Sequence, residues 1–182
     1  KFLLRSISYI LLLTNNLNAQ SYFQEKKAKS NKIIPAVTIK AYSIPLTDVV
    51  LLKSPFLHAR SMDSAYLLLL NSNRLLNRFH KNAGLPVKDS VYGGWESEGL
   101  SGHTLGHYLS AASLMYSSTG NKVFKNRIDY IVTELAKCQD ARKTGYLGAI
   151  PNEDSIFAQV SRGQIKSSGF DLNGGWSPWY TV

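Results

Sequence analysis

One cysteine, Cys138, is all that the 182 residues contain. An intramolecular disulfide is therefore excluded, and the fold must rest on packing and hydrogen bonds even in an oxidising compartment. Long apolar runs are missing as well. The stretch from Ile7 to Leu13 is too short to cross a bilayer, so no stable membrane span is expected. Acidic residues are scarce, 12 against 21 Lys and Arg, which gives a formal charge of +9. Such a surplus can favour an anionic partner, but the basic residues are scattered and Glu25-Lys26-Lys27-Ala28-Lys29 is their one small cluster, which argues against nucleic-acid binding. No P-loop, dinucleotide fingerprint or GxSxG elbow is present. What remains is a hydrophobic content of 44 %, ordinary for one globular domain with a real core.

The order of residue types at the start is directional. Lys1 and Arg5 precede the apolar run, and Thr14 to Ala19 is polar and ends on a small residue, the layout of a secretory signal peptide over 1–19 with cleavage after Ala19. The competing reading is an N-terminal core helix. Export to a secreted or periplasmic location follows from the first. Residues 20–46 read as a linker or extended segment, polar at first and then β-leaning, with prolines at 35 and 45.

From position 47 the chain reads as one domain. Thr47 to Leu52 suggests a short extended segment, and Pro55 is expected to delay the next helix to about Leu57. Met62, Ala65, Tyr66, Leu69 and Leu70 then form an apolar face at helical spacing. Asn71-Ser72-Asn73 caps a second helix carrying Leu75, Leu76 and Phe79, which Gly84 and Pro86 end. A third helix starting at Ser101 or Gly102 is apolar on more than one side, which predicts that neighbours enclose it. After the turn Ser117 to Asn121 comes an amphipathic helix over Lys122 to Arg142. Its stripe is Phe124, Ile128, Ile131, Val132 and Leu135. Cys138 continues that stripe and reads as a small core hydrophobe rather than a reactive thiol. Lys122, Lys125, Arg127, Glu134 and Lys137 are assigned to the outer faces. An inner and an outer helix joined by a short turn make an αα-hairpin. A short helix is expected within Ser155 to Gln164, and another near Pro178 that the end of the chain leaves incomplete, the pattern of a piece of a longer protein.

Chemistry concentrates between Tyr92 and Tyr108, YGGWESEGLSGHTLGHY, a glycine-rich loop feeding a helix. Trp95 with Tyr92, and Trp176 with Trp179 and Tyr180, can stack on the C–H faces of sugars, while Glu96, Glu98 or His103 can bind hydroxyls. The competing reading packs each tryptophan under its own loop, and Trp179 favours packing. His103 and His107 lie four apart on one helical face, but HTLGH lacks the glutamate of HExxH, and no third ligand is near, so no metal is assigned. His103 faces the loop as a ligand contact, and His107 is expected to be a hydrogen-bonded core histidine. The triplet Gly-Gly-Trp occurs at 93–95 and again at 174–176. If both precede inner helices, the two loops share a rim, as in an α/α toroid.

Several motifs taken together, LLKSPF, NRLLNRF, AGLPVK, YGGWESEGLSGHTLGHYLSA, LMYSSTGN, GYLGAIP and FDLNGGWSPWYTV, resemble in order the N-terminal part of glycoside hydrolase family 127, formerly domain of unknown function 1680, and of its neighbour family 146. The resemblance implies an all-α fold, the N-terminal and incomplete part of an (α/α)6 barrel over 47–182. It implies an exported bacterial, retaining β-L-arabinofuranosidase acting on plant arabinose-containing oligosaccharide or polysaccharide. It also implies a cysteine nucleophile held at a zinc ion in the complete protein, with a glutamate acid/base, in motifs that lie beyond Val182. Cys138 does not match the nucleophile's motif, so no cofactor is assigned to residues 1–182 and the catalytic residues stay unassigned. The sugar contacts assigned are Trp95, Glu96, His103, Trp176 and Tyr180. The alternative reading is a non-catalytic carbohydrate-binding or scaffolding helical module.

Overall fold

The computed structural model describes residues 36–37, 44–98, 100–168 and 171–176. The chain divides into two units, Lys1–Ile44 and Pro45–Val182. Of the first, only Ala36, Val37 and Ile44 are described. The signal-peptide expectation and nearly all of the linker expectation fall outside the described residues, as do Tyr180 and the helix expected near Pro178.

The second unit is all-α apart from one small sheet. A 3-10 turn at Leu46–Asp48 leads to α1 (Pro55–Leu69), α2 (Ser72–Asn82), the one-turn α3 (Trp95–Glu98), α4 (His103–Thr119), α5 (Lys122–Arg142) and α6 (Glu153–Ser161). Pro55 occupies the first helical turn, and the Ser54 side chain accepts the Leu57 N–H. The expectation of a start near Leu57 is therefore corrected. Proline lacks an N–H that the first turn would leave unpaired anyway, so it opens the helix. Asn71 and Asn121 cap α2 and α5 by accepting the N–H groups of Asn73 and Val123, as their residue type dictates. Beyond α6, β1 (Ser167–Ser168), β2 (Asp171–Leu172) and β3 (Gly175–Trp176) form an antiparallel sheet in the order β1-β2-β3. Ser168 pairs with Asp171, and Asp171 with Trp176. The two Gly-Gly-Trp triplets thus differ in local structure: Trp95 begins a helical turn, whereas Trp176 lies in a strand.

The core sits where α5 packs on α4 and α2. Leu75, Leu76 and Phe79 from α2, Leu105, Tyr108, Ala112 and Met115 from α4, and Phe124, Ile131 and Cys138 from α5 are buried together. Each fully buried large side chain of this kind contributes about 1.5–3 kcal/mol. A second cluster joins Ile150, Ile156 and Leu172, so the sheet is anchored through one leucine.

Several expectations about faces need correction, among them Val132 of the α5 stripe, which is 52 % exposed. In α1 the stripe of Met62, Ala65, Tyr66 and Leu69 points outward, and Leu69 is 80 % exposed. The helix instead turns Leu57, Leu67 and Leu68 inward, because it is apolar on two sides and its C-terminus is fixed by polar contacts. Arg127 Nη1 donates to the carbonyl oxygens of Leu67, Leu68 and Leu70 at 3.1, 3.2 and 2.9 Å and to Tyr108 Oη at 3.0 Å. A cation there complements the negative end of the helix dipole. Arg127 is accordingly half-buried rather than outward-facing. Finally, α4 is not enclosed among the described residues, since Leu114 is 58 % exposed.

Glu134 departs furthest from its expected outer position. It is 4 % exposed and lies 3.0 Å from His80 Nε2, 3.0 Å from Lys88 Nζ and 2.6 Å from Lys137 Nζ. The lysines, Lys137 foremost, hold its carboxyl down at about 2, against the desolvation that would raise it. His80 is buried, and desolvation lowers its pKa against the pull of Glu134. The 3.0 Å approach to Glu134 is an ion-pair distance, yet neither ring nitrogen of His80 makes a well-aligned hydrogen bond. We regard the contact as electrostatic proximity to a neutral ring.

Candidate functional site: a capped loop presenting Trp95

The rim begins with a segment pinned to α2. Arg74 donates from Nε and Nη2 to the carbonyls of Ser90 and Val91, both at 3.2 Å, and its guanidinium lies 3.9 Å over the Tyr92 ring. Tyr92 Oη accepts the Asn71 N–H at 2.8 Å. Tyr92 therefore serves as a strut between loop and helix, and its ring face is covered by a cation.

Glu96 organises the turn from α3 into α4. Its side chain is among the buried charges, 6 % exposed, and both carboxylate oxygens are occupied: Oε2 accepts the Gly102 N–H and Oε1 the Thr104 N–H, each at 3.0 Å. The Ser101 hydroxyl donates to the Glu96 carbonyl. Gly102, the N-cap of α4, has no side chain with which to cap, so Glu96 supplies the acceptor from six residues upstream. A carboxylate at this end also meets the positive pole of the helix dipole. Glycine is required at 102 on two counts. Its φ is +91°, and a Cβ would stand 2.8 Å from Phe79 Cζ and 3.0 Å from Ala149 Cβ.

This closure leaves Trp95 outside. The indole is 66 % exposed while its backbone is held, the Trp95 carbonyl accepting the Leu100 N–H at 3.0 Å. His103, the first residue of α4, is half-buried, and His107, one turn on, is exposed. Their Nε2 atoms are 3.1 Å apart, with the rings edge to face at 86°. One ring donates to the other, the direction being set by the tautomer. His107 is hydrogen-bonded as expected, but it is a surface residue and not a core one. A four-residue spacing at the start of α4 keeps both rings on the side turned away from Leu105 and Tyr108.

The structure places Trp95 and Glu96 on one turn that Glu96 ties to the start of α4, where His103 lies, with the Glu96 carboxylate beneath the loop instead of on its surface. Trp176 enters through its β3 backbone alone, and Tyr180 falls outside the described residues. Among the described residues no group of three or more His, Cys, Asp or Glu side chains could hold a metal ion. Cys138 is fully buried, and desolvation pushes its thiol up to about 11. That is the opposite of what a nucleophile or zinc ligand needs. These residues do not fit the zinc centre implied by the resemblance.

Sequence reasoning missed the supports. Arg74 carried no signal beyond its charge. Glu134 did carry one, because it lies three residues after Ile131 and four before Cys138, on the buried stripe itself. The remaining buried carboxylate, Glu153, is 2 % exposed and paired with Arg142. Burial raises its pKa against the lowering effect of Arg142.

Comparison with known proteins gives one family. The family model described as β-L-arabinofuranosidase, glycoside hydrolase family 127 catalytic domain, matches residues 48–182. No curated protein matches the chain. The matched segment takes in every helix from α1 to α6 and the whole of the rim, and the chain belongs to the β-L-arabinofuranosidase-like catalytic domains of glycoside hydrolase family 127.

Proposed function

We propose that this chain forms the sugar-facing rim of an exported, retaining β-L-arabinofuranosidase that acts on plant arabinose-containing glycans. The observation that carries the reading is Trp95: an indole two-thirds exposed on a backbone locked by Glu96, Ser101 and Gly102. An indole presented on a fixed backbone offers an apolar ring face, and a sugar's C–H face suits it for stacking. Beside it, the exposed His107 ring, hydrogen-bonded to His103, adds a polar group of the kind that meets sugar hydroxyls. Preorganisation by Glu96 means little ordering entropy is lost on binding.

Bond cleavage is not assigned to any residue described. Neither the buried Cys138 nor the capping Glu96 is available for it. Zinc, with a cysteine nucleophile and a glutamate acid/base, remains the chemistry expected of the complete enzyme by its resemblance to the family. The competing reading, a non-catalytic carbohydrate-binding module, shares the rim and differs in turnover. Incubating the complete protein with a β-L-arabinofuranosyl disaccharide and following the anomeric proton signals separates the two. Release of β-L-arabinofuranose first is expected for a retaining enzyme, and first appearance of the α anomer contradicts retention. Binding without release would leave the module.

A further inference from the structure

Arg74 and Arg78 stand four residues apart on α2 and so project from one side of the helix. Both reach the segment that carries Trp95, but they hold different parts of it. Arg74, with Asn71, fixes the backbone up to Tyr92. Gly93 and Gly94 come next, both exposed, with nothing within 4 Å of where a Cβ would stand and with Gly94 at φ +62°. Such a pair passes little of the order of Tyr92 on to Trp95, because no side chain restricts its backbone. Trp95–Glu98 is a single helical turn, and a helix that short does not persist by itself. Its geometry is therefore imposed from outside.

Glu96 supplies one hold, on the α4 side. Arg78 supplies another from α2: its Nη2 donates at 3.2 Å to the carbonyl oxygen of Ser97, two residues beyond Trp95. Within the turn, the Ser97 N–H and hydroxyl both donate to the Gly94 carbonyl, at 3.0 and 2.8 Å. Ser97 thus ties the entry of the turn to α2. Arg78 is half-buried, and its buried Nε has no hydrogen-bond partner. The guanidinium therefore bears a desolvation cost that an apolar side chain would avoid. We propose that Arg78 is a positioning residue for sugar binding: by holding the Ser97 carbonyl it fixes how Trp95 presents its indole, without touching the sugar itself. This rests on the reading of Trp95 as a sugar contact and names what sets its orientation.

The test measures, by calorimetry, the affinity of the complete protein for an arabinan oligosaccharide, with melting temperatures alongside. Arg78→Met keeps an apolar stem and removes the donor. It is expected to lose about fivefold in affinity, the scale of one side chain that must be ordered on binding, at an unchanged melting temperature. Arg78→Lys, which can still donate to Ser97, should stay within about twofold of wild type. In a Trp95→Ala background Arg78→Met should change nothing further, because the ring that it positions is gone. Should Arg78→Met melt lower, Arg78→Gln, whose amide ends two bonds short of Nη2, takes its place with the same expectations. A loss that persists undiminished in the Trp95→Ala background, that Lys does not restore, or that comes in both the Met and Gln variants only with a lower melting temperature overturns the positioning role. So does wild-type affinity in the Met and Gln variants. In each of these cases the rim reading stands as long as Trp95→Ala alone weakens binding. If Trp95→Ala binds like wild type, the rim reading falls and takes the positioning role with it.

Discussion

Helices α1 and α5 both carry an apolar stripe at helical spacing, yet α5 buries the central line of its stripe, with Val132 left 52 % exposed, and α1 exposes the one that the sequence singles out. In α5, Phe124, Ile131 and Cys138 are fully buried and fall on one line along the helix. In α1, Phe56, Met62, Tyr66 and Leu69 are exposed by more than half, and no residue of the helix is buried. The difference teaches that periodicity finds a face but does not say what covers it. A helix apolar on two sides is assigned its inner side by other forces, here the hold of Arg127 and Tyr108 on its C-terminal carbonyls.

The comparison breaks first under truncation. Ile131→Ala should cost about 2–5 kcal/mol of unfolding free energy, the usual range for a large-to-small change in a closed core. Met62→Ala should change stability by no more than about 0.5 kcal/mol. Denaturant melts giving comparable losses for the two would mean that α1 also faces a core. Next comes the polar insert in the α5 stripe. Glu134→Gln should cost about 1–2 kcal/mol, a charge-assisted loss moderated because Lys88 and Lys137 are largely solvated.

The pH dependence sharpens the same point. With its folded pKa depressed to about 2, Glu134 gives a stabilisation that is full above the ordinary carboxyl value of 4.5 and disappears as the pH falls through about 2. Glu153, raised by burial, acts the other way: its contribution is present below 4.5 and is lost as the pH rises through its elevated folded value. An acid titration of Glu134→Gln should therefore lose the low-pH drop that wild type shows. A smaller effect is expected for Glu96→Ala, about 1 kcal/mol, the usual worth of a helix cap, with fraying at the start of α4 visible as faster amide exchange of Gly102 and Thr104. The smallest change expected is none at all: Cys138 should not react with a thiol reagent at neutral pH until the protein is unfolded. At alkaline pH its raised value removes stability between 9 and about 11. Labelling of the folded protein would show that the α5 stripe opens.

Much of the helical layout could be read from the chain because its punctuation is local. Asn121 and the turn before it set α5 to the residue, and Gly84, at φ +68°, ends α2 as its residue type demands. The α4 start was legible from Gly102. The sheet was not, since its strands are two residues each and only Leu172 supplies an apolar anchor. At the site, the exposure of Trp95 could not be read, because packing and presentation demand the same residue type. The role of Glu96 was hidden for a related reason. A carboxylate next to a tryptophan in a loop looks like a ligand contact, and only the fold shows that two N–H groups of α4 consume both of its oxygens. His107 illustrates the reverse error, where a position one turn deeper in a helix was equated with depth in the core.

The central claim is that the Glu96-capped loop presents Trp95 to sugar and does not bury it for stability. Calorimetric binding of an arabinan oligosaccharide to wild type and to Trp95→Ala, with the melting temperature of each, tests this most directly. The expected result is about a tenfold loss of affinity, the scale of one aromatic contact, at an unchanged melting temperature. Unchanged affinity together with a fall of several degrees in melting temperature would make Trp95 a packing residue and contradict it.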